Sequence, residues 1–386
     1  MIKSFYWCPY ISEVATVRSV INSTKSLKKY SNEKIKPYII NVVGEWNNKK
    51  EYLENFGINF VELKNKNLIN KLPKLGFIKS RFTYLIILLF SIRKLHNLLR
   101  KEKPDFLIVH LISVIPLILL IFFNYNTKFV LRISGYPKLN FFRKYLWKLA
   151  SKKLKYITCP TILTINLLKD KKIFDFNKLK YLPDPILEIK EVNKQKKMLE
   201  NIDNHFSKKN TLLSIGRLTE QKNFNFLLEG FKKISEIYKD LNLVILGEGE
   251  QRRDLEKKIN LLNLKGKVFL PGYKKNVFKY LENCKFFVLS SRYEDPGFVL
   301  IEAGIMNKII ISSDCPNGPI EIIDKNKNGY LFKNNSIDDF TKVFKEAYEE
   351  DNKILFEKKK NLKIKCKEFT LFNHYQKFKK ILINEN

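Results

Sequence analysis

The chain has 386 residues, room for two or three domains of ordinary size rather than one. Hydrophobic residues make up 45% and charged residues 29%, which excludes a mainly disordered chain; no Gly-X-Y or heptad array is present either. The 72 Lys and Arg outweigh the 39 Asp and Glu, a net charge of +33. The excess is uneven: residues 1–185 hold 34 bases and 11 acids (+23), residues 186–386 hold 38 and 28 (+10). Such a field suits nucleic acid, an anionic membrane or phosphorylated substrates. Codon bias also supplies lysines, but less readily an asymmetry between halves. Five scattered cysteines without a CxxC argue against a disulfide framework or zinc knuckle and fit a reducing compartment. Four histidines, none paired at ligand spacing, argue against a His-built metal site.

In chain order, Met1–Tyr10 reads as a first strand running into a turn, not a signal peptide. Amphipathic helices are expected over Ser12–Tyr30 and Ile78–Lys101, with a strand at Tyr38–Val43 between them. The longest apolar run, Phe106–Phe123, has 18 residues, the lower bound for a membrane-spanning helix. His110, Ser113 and Pro116 break it, so it reads as a buried strand, Phe106–His110, followed by a short buried helix. A strand at Phe129–Ile133 follows. Residues 136–157 then carry seven bases and no acid, with Phe141, Phe142, Tyr145, Leu146, Trp147 and Leu149 interleaved. As a helix, Phe142, Tyr145, Leu146 and Leu149 share a face. Two readings stay open: an interfacial helix with Phe142, Lys144, Trp147 and Lys148 toward anionic lipid, or a helix packed on its own sheet with a basic outer face.

A boundary falls near 182–210, where prolines and a polar stretch precede a new strand, Thr211–Ile215. Further strands are expected at Leu243–Leu246, Lys267–Leu270, Phe286–Ser290 and Ile309–Ser312, with helices at Asn223–Tyr238 and Gln251–Asn263. Alternating strands and helices imply parallel sheets covered on both faces. The chain divides into two Rossmann-like halves, 1–184 and 205–365, plus a helical tail, 366–386, that can cross back to the first. Ligand is expected in the cleft of two facing α/β domains, at the C-terminal ends of strands.

The second half carries the chemistry. After Thr211–Ile215, Gly216 permits a tight turn, and Arg217 and Lys222 follow five apart. They can converge on one anion or form a solvated loop pair. Gly247-Glu248-Gly249 marks a tight turn but lacks the third glycine of a dinucleotide fingerprint. Gly272 also lies at a strand end. In "SSRYEDPGFVLIEAGIM", Glu294 sits in a loop and Glu302 on the helix behind it. Gly297, Phe298 and Val299 open that helix and offer its N-terminal amides to an anion. The two acids suit sugar or ribose hydroxyls; a capping acid plus a surface Glu is the alternative.

Taken in this order, these motifs resemble the donor domain of the GT-B glycosyltransferases, more narrowly glycosyltransferase family 4 (group 1), as found in bacterial surface-polysaccharide synthesis. The resemblance is specific over about residues 211–332. It implies that Arg217 and Lys222 hold the donor diphosphate, that Glu302 holds the ribose, and that Glu294 lies by the donor sugar. Gly216, Gly297 and Phe298 would line the donor site, and Gly272 and Tyr273 would lie by the base. It implies a retaining reaction with a UDP- or GDP-linked sugar as substrate, no cofactor and no metal; no Asp-x-Asp occurs in the chain. The first half departs from the family pattern. It lacks a glycine-rich turn after its first strand, where Ser12 and Glu13 stand, and Ser134-Gly135 replaces the usual His-Gly. His110, Arg132, Ser134 and Gly135 become acceptor-side candidates, with His110 equally readable as a satisfied core histidine. A lipid-linked or glycan acceptor, an anionic membrane surface and a cytoplasmic, inner-face location fit the resemblance and the basicity. A noncatalytic basic scaffold is the alternative. Nucleic acid is not expected, because no nucleic-acid-binding signature appears.

Overall fold

The structure is a computed structural model that describes all residues except 12–13, 64–76, 136, 138, 199–209, 325 and 384–386, and describes no side chain over 77–82. The chain forms two compact units: Met1–Ile186 with Leu371–Asn386, and Leu187–Thr370. The first half thus extends to Ile186, the helix Ile189–Lys197 belongs to the second unit, and only residues from Leu371 onward belong to the first.

Unit 1 is a seven-stranded parallel sheet in the order β3-β2-β1-β4-β5-β6-β7. Its strands are β1 (Ile2–Trp7), β2 (Ile35–Asn41), β3 (Asn59–Glu62), β4 (Phe106–Val109), β5 (Lys128–Arg132), β6 (Tyr156–Cys159) and β7 (Leu179–Tyr181). Its helices are α1 (Ala15–Tyr30), α2 (Asn47–Glu54), α3 (Phe77–Glu102), α4 (Val114–Phe122), α5 (Phe141–Ser151) and α6 (Ile162–Asp170). The central strands read as unbroken apolar runs because both faces are covered. Leu107 and Val109 enter one core with residues of α3, α4 and α5, while Phe106 and Ile108 enter another with α1. The run 106–123 is strand plus helix, and among the described residues no helix is long and apolar enough to cross a membrane.

Among the described residues of the basic stretch 136–157, only α5 is helical. Asn140 starts it, its Oδ1 accepting from Arg143 N at 2.9 Å, and by Tyr156 the chain is already β6. Trp147 is a correction to the membrane-facing set: it is 6% exposed and packs on Phe174, with ring centroids 5.6 Å apart. Phe142, Lys144 and Lys148 are exposed.

Unit 2 begins with α7 (Ile189–Lys197) and holds a six-stranded parallel sheet, β10-β9-β8-β11-β12-β13. These are β8 (Thr211–Ile215), β9 (Asn242–Leu246), β10 (Val268–Gly272), β11 (Phe286–Leu289), β12 (Ile309–Ser313) and β13 (Tyr330–Phe332). The helices are α8 (Phe224–Ile237), α9 (Arg252–Leu261), α10 (Val277–Glu282), α11 (Phe298–Ile305), α12 (Gly318–Ile323), α13 (Ile337–Glu349) and α14 (Asn352–Cys366). The last helix, α15 (Leu371–Ile383), returns to unit 1, where Tyr375, Phe378 and Leu382 share a core with Val17, Val20 and Leu27 of α1.

The strand order reverses at β1/β4 in unit 1 and at β8/β11 in unit 2. In open parallel sheets, ligands sit beyond the C-terminal strand ends at such switch points.

Candidate active site

The motifs of unit 2 meet at its switch point. Beyond β8, Gly216 leaves space for the stem of Lys222, whose Cε would lie 2.9 Å from any Cβ built there. Lys222 ends a short 3-10 turn, Glu220–Lys222, and its Nζ forms an ion pair with Glu294 Oε1. The pair is largely buried. Ser291, fully buried, donates to the same Oε1 at 2.7 Å. The two segments are stitched further: Ser290 Oγ donates to Lys222 O (2.9 Å), Arg292 N to Gln221 O (2.8 Å) and Gln221 Nε2 to Tyr293 O (3.0 Å). Arg217, by contrast, is exposed and has no side-chain partner among the described residues.

Gly297, at φ 95°, caps α11, so that Phe298 opens the helix and Glu302 sits in its second turn, 3% exposed. The loop before the helix is held by backbone contact. A Cβ at Gly318 would lie 1.7 Å from Pro296 O, and Glu294 and Asn317 form a β-bridge. The Gly-Glu-Gly turn is explained in the same way. A Cβ at Gly247 would lie 1.9 Å from Gly216 O, and Leu218 N donates to Glu248 O at 2.9 Å. Gly247 thus lets the loops after β8 and β9 touch backbone to backbone. Gly247 N also donates to Gly272 O (3.0 Å), and Tyr273 beyond it is 74% exposed.

Sequence reasoning missed Gln221, Ser290, Ser291, Asn317 and Gly318. The "SS" before the Glu294 loop and the "NGP" before α12 were the signals available. The structure brings Gly216, Lys222 and Glu294 into contact and puts Gly297, Phe298 and Glu302 on the adjoining loop and helix. Gly272 and Tyr273 lie at the end of β10, next to β9.

In unit 1 the candidates separate. His110 and Ser134 adjoin, with Ser134 Oγ 3.3 Å from His110 Nδ1, at the ends of β4 and β5. His110 is buried against Tyr6, and burial pushes its imidazole well below the usual histidine range. Gly135 has open space around it. Arg132 is a correction: it is 3% exposed and its guanidinium donates to Leu182 O (2.5 Å) and Asp184 Oδ1 (2.6 Å). It anchors the end of unit 1 and has no surface to offer an acceptor. Ser12 and Glu13 lie outside the described residues. Glu45, which the sequence did not single out, is buried at the end of β2, accepting from Val42 N (3.2 Å) and Val43 N (2.8 Å). Burial pushes its carboxyl up to about 7 despite those bonds. All five cysteines are buried and free, and among the described residues no three His, Cys, Asp or Glu gather as a metal site.

The family model for glycosyl transferases group 1 matches residues 195–368. Those residues lie almost wholly in the second unit, which is thus similar in sequence to the group 1 glycosyl transferases. The chain is 35% identical over 245 residues to an uncharacterized glycosyltransferase of Methanocaldococcus jannaschii, a match covering 60% of each. It is 27% identical over 340 residues to a Campylobacter jejuni alpha-1,4-N-acetyl-D-galactosaminyltransferase, covering 84% of this chain and 87% of that one. The chain spans 60% of the first of these relatives and 29% of a Staphylococcus aureus poly(ribitol-phosphate) alpha-N-acetylglucosaminyltransferase that it matches at 33% identity. In fold, it is similar over its whole length to S. aureus TarM (TM-score 0.73, 15% identity, covering 100% of each chain). Anabaena HepE aligns at TM-score 0.72 and 13% identity, covering 99% of each chain. With its two Rossmann-like parallel-sheet domains, the chain has the GT-B fold.

Proposed function

We propose that the chain is a retaining, metal-independent glycosyltransferase. It moves a hexose or N-acetylhexosamine from a UDP- or GDP-linked donor to a lipid-linked glycan in lipopolysaccharide, O-antigen or capsule synthesis. It works peripherally at the inner face of the cytoplasmic membrane. The observation that carries this reading is the constellation in unit 2. Arg217 is exposed and, among the described residues, without a side-chain partner beside the largely buried Lys222–Glu294 pair, with the start of α11 and buried Glu302 next in the chain. The relatives support it. HepE and TarM are described in complexes containing UDP, and the C. jejuni relative is named for a PP-undecaprenol-linked substrate.

On this reading, cleaving the anomeric bond builds negative charge on the departing diphosphate and positive charge on the sugar. Arg217 and Lys222 meet the diphosphate together with the N-terminal end of α11. Glu302 accepts from the ribose, and Glu294 faces the sugar through the oxygen not taken by Lys222 and Ser291. The departing phosphate takes the acceptor's proton, with attack from the face it leaves, so Glu294 is not assigned as a nucleophile.

The test is thermal shift against UDP-, GDP-, ADP- and CMP-sugars in EDTA, with Arg217→Ala and Glu302→Ala alongside. A shift with one donor class, weakened in both variants, is the expected result. No shift with any donor in folded protein overturns the reading in favour of a noncatalytic scaffold.

A further inference from the structure

We propose that one outer face of unit 1, formed jointly by α3, α4 and α5, docks on an anionic lipid bilayer. Its link to the proposed function is that it would bring the enzyme to a membrane-anchored acceptor.

The face is defined by packing. α4 lies against both α3 and α5. All three turn their inner residues, among them Leu95, Leu117 and Trp147, into one core. Lys153, just beyond α5, donates to Ile121 O (3.0 Å) and Phe123 O (3.3 Å), closing the C-terminal end of α4. His96 of α3 bonds Tyr125 OH at 2.7 Å just after α4. The three helices therefore form one covered layer, and their outward side chains share one surface.

That surface is apolar where a soluble helix should be polar. Eleven of the 27 exposed large hydrophobic side chains among the described residues lie between residues 84 and 149, a sixth of the chain. Leu85 and Leu89 project from α3, Phe122 from α4, and Phe141, Phe142 and Tyr145 from α5; Phe142 is 81% exposed. Isolated exposed apolar groups are ordinary, but a cluster of this kind marks a binding surface.

Charge decides among occupants. Residues 77–157 hold 16 bases and two acids, Glu102 and Asp105. Glu102 is the last residue of α3, and Asp105 accepts from Lys3 N at 2.7 Å at the start of β4. The exposed bases Arg93, Lys144, Lys148 and Lys152 have no acid between them on the face. A second copy would present the same positive face and be repelled. A nucleic-acid backbone would neutralise the bases but leave Leu85, Leu89 and Phe122 in water. A bilayer with anionic headgroups accommodates both: cations at the phosphates, aromatic and aliphatic groups at the acyl boundary.

The experiment is co-sedimentation of the full chain with phosphatidylcholine vesicles, with and without phosphatidylglycerol. Two variant pairs and a control are compared: Phe141→Ser with Phe142→Ser, Lys144→Glu with Lys148→Glu, and Lys360→Glu with Lys363→Glu on the exposed side of α14. Wild type and control are expected to bind the phosphatidylglycerol vesicles, and salt to weaken that binding. The Phe pair and the Lys144/Lys148 pair should each lower the partition about tenfold or more. Equal binding to both vesicle types, wild-type binding by both face variants, or an equal loss in the control overturns the inference. So does concentration-dependent self-association that the Phe pair abolishes in a protein that ignores vesicles. All substituted side chains are solvent-exposed, and the two face variants act through independent chemistry, so a folding defect in one leaves the other decisive. Nucleotide-sugar binding, read separately, distinguishes failure of this inference from failure of the proposed function. A chain that binds vesicles but no donor keeps the docking face and loses the transferase reading.

Discussion

Lys222 and Glu294, 72 residues apart in sequence, close as a largely buried ion pair at the switch point of unit 2, five residues from Arg217, which has no side-chain partner among the described residues. The two cations on which the proposed function rests therefore differ in kind. Lys222 is built into the fold; Arg217 is held out to solvent.

That difference predicts a separation of stability from binding. Lys222→Ala leaves the Glu294 carboxylate buried with only Ser291 to satisfy it, and breaking a buried pair from one side costs about 3–5 kcal/mol. Arg217→Ala removes an exposed side chain and should change stability by about 0.5 kcal/mol or less. Urea denaturation checks both. In calorimetric binding of the donor's nucleoside diphosphate, UDP or GDP, Arg217→Ala should lose affinity while melting like wild type. Equal destabilisation by the two substitutions would contradict the asymmetry.

Ser291 should act through Glu294. Its hydroxyl fixes one carboxylate oxygen; on the proposed function the other oxygen takes a sugar hydroxyl. Ser291→Ala removes one hydrogen bond to a charged group, about 1.5–3 kcal/mol. Its effect on nucleotide-sugar affinity should exceed its effect on the affinity for the matching nucleoside diphosphate and should vanish in a Glu294→Ala background. A double-mutant cycle with no coupling would show that Ser291 serves packing alone.

Backbone contact predicts unequal costs for glycine substitutions. Gly247→Ala forces a methyl to within 1.9 Å of Gly216 O at φ 145°. Gly266→Ala meets nothing within 4 Å, although φ there is 80°. Strain alone should cost Gly266→Ala about 1–2 kcal/mol. Gly247→Ala must also push apart the loops after β8 and β9 and should cost about 4 kcal/mol or more, among the largest single-site effects. Denaturation midpoints of the two variants are the check.

Much of this was legible in the sequence because it is local. Thr211–Ile215 is a strand end for end, and the interrupted run 106–123 resolves as strand and helix, since apolar runs and breakers act over a few residues. The strands β3, β6, β7 and β13 were missed because each has three or four residues and no sustained pattern. Trp147 was legible in principle: it lies about 140° around the helix from Phe142, away from the stripe of Phe142, Tyr145 and Leu149. Composition drew it to the lipid side, whereas periodicity places it in the core. The Lys222–Glu294 bond and the Pro296–Gly318 contact depend on which strands become neighbours, which no local pattern encodes.

Unit 1 contains two buried groups whose titrations oppose each other. His374 on α15 sits between Ser23 and Pro183, near Arg132 and Asp184; its Nδ1 lies 2.8 Å from Pro183 O and its Nε2 2.8 Å from Ser23 Oγ. The carbonyl can only accept, so Nδ1 carries the proton, Ser23 donates to Nε2, and Tyr6 OH donates to Ser23. Burial pushes the imidazole down to about 4. The unfolded chain then binds more protons than the folded one between about pH 4 and 6.5, and stability from this group is lost as pH falls through that window. Glu45, pushed up to about 7, has the opposite sign: the folded chain holds the extra proton, and stability is lost as pH rises from about 4.5 to 7. The cost of His374→Gln should therefore be about 2 kcal/mol smaller at pH 5 than at pH 7, and the cost of Glu45→Gln about 2 kcal/mol smaller at pH 7 than at pH 5. Urea denaturation of both variants at the two pH values tests the pair. Slopes of the same sign would mean that one of the two groups is not buried in the protonation state its surroundings dictate.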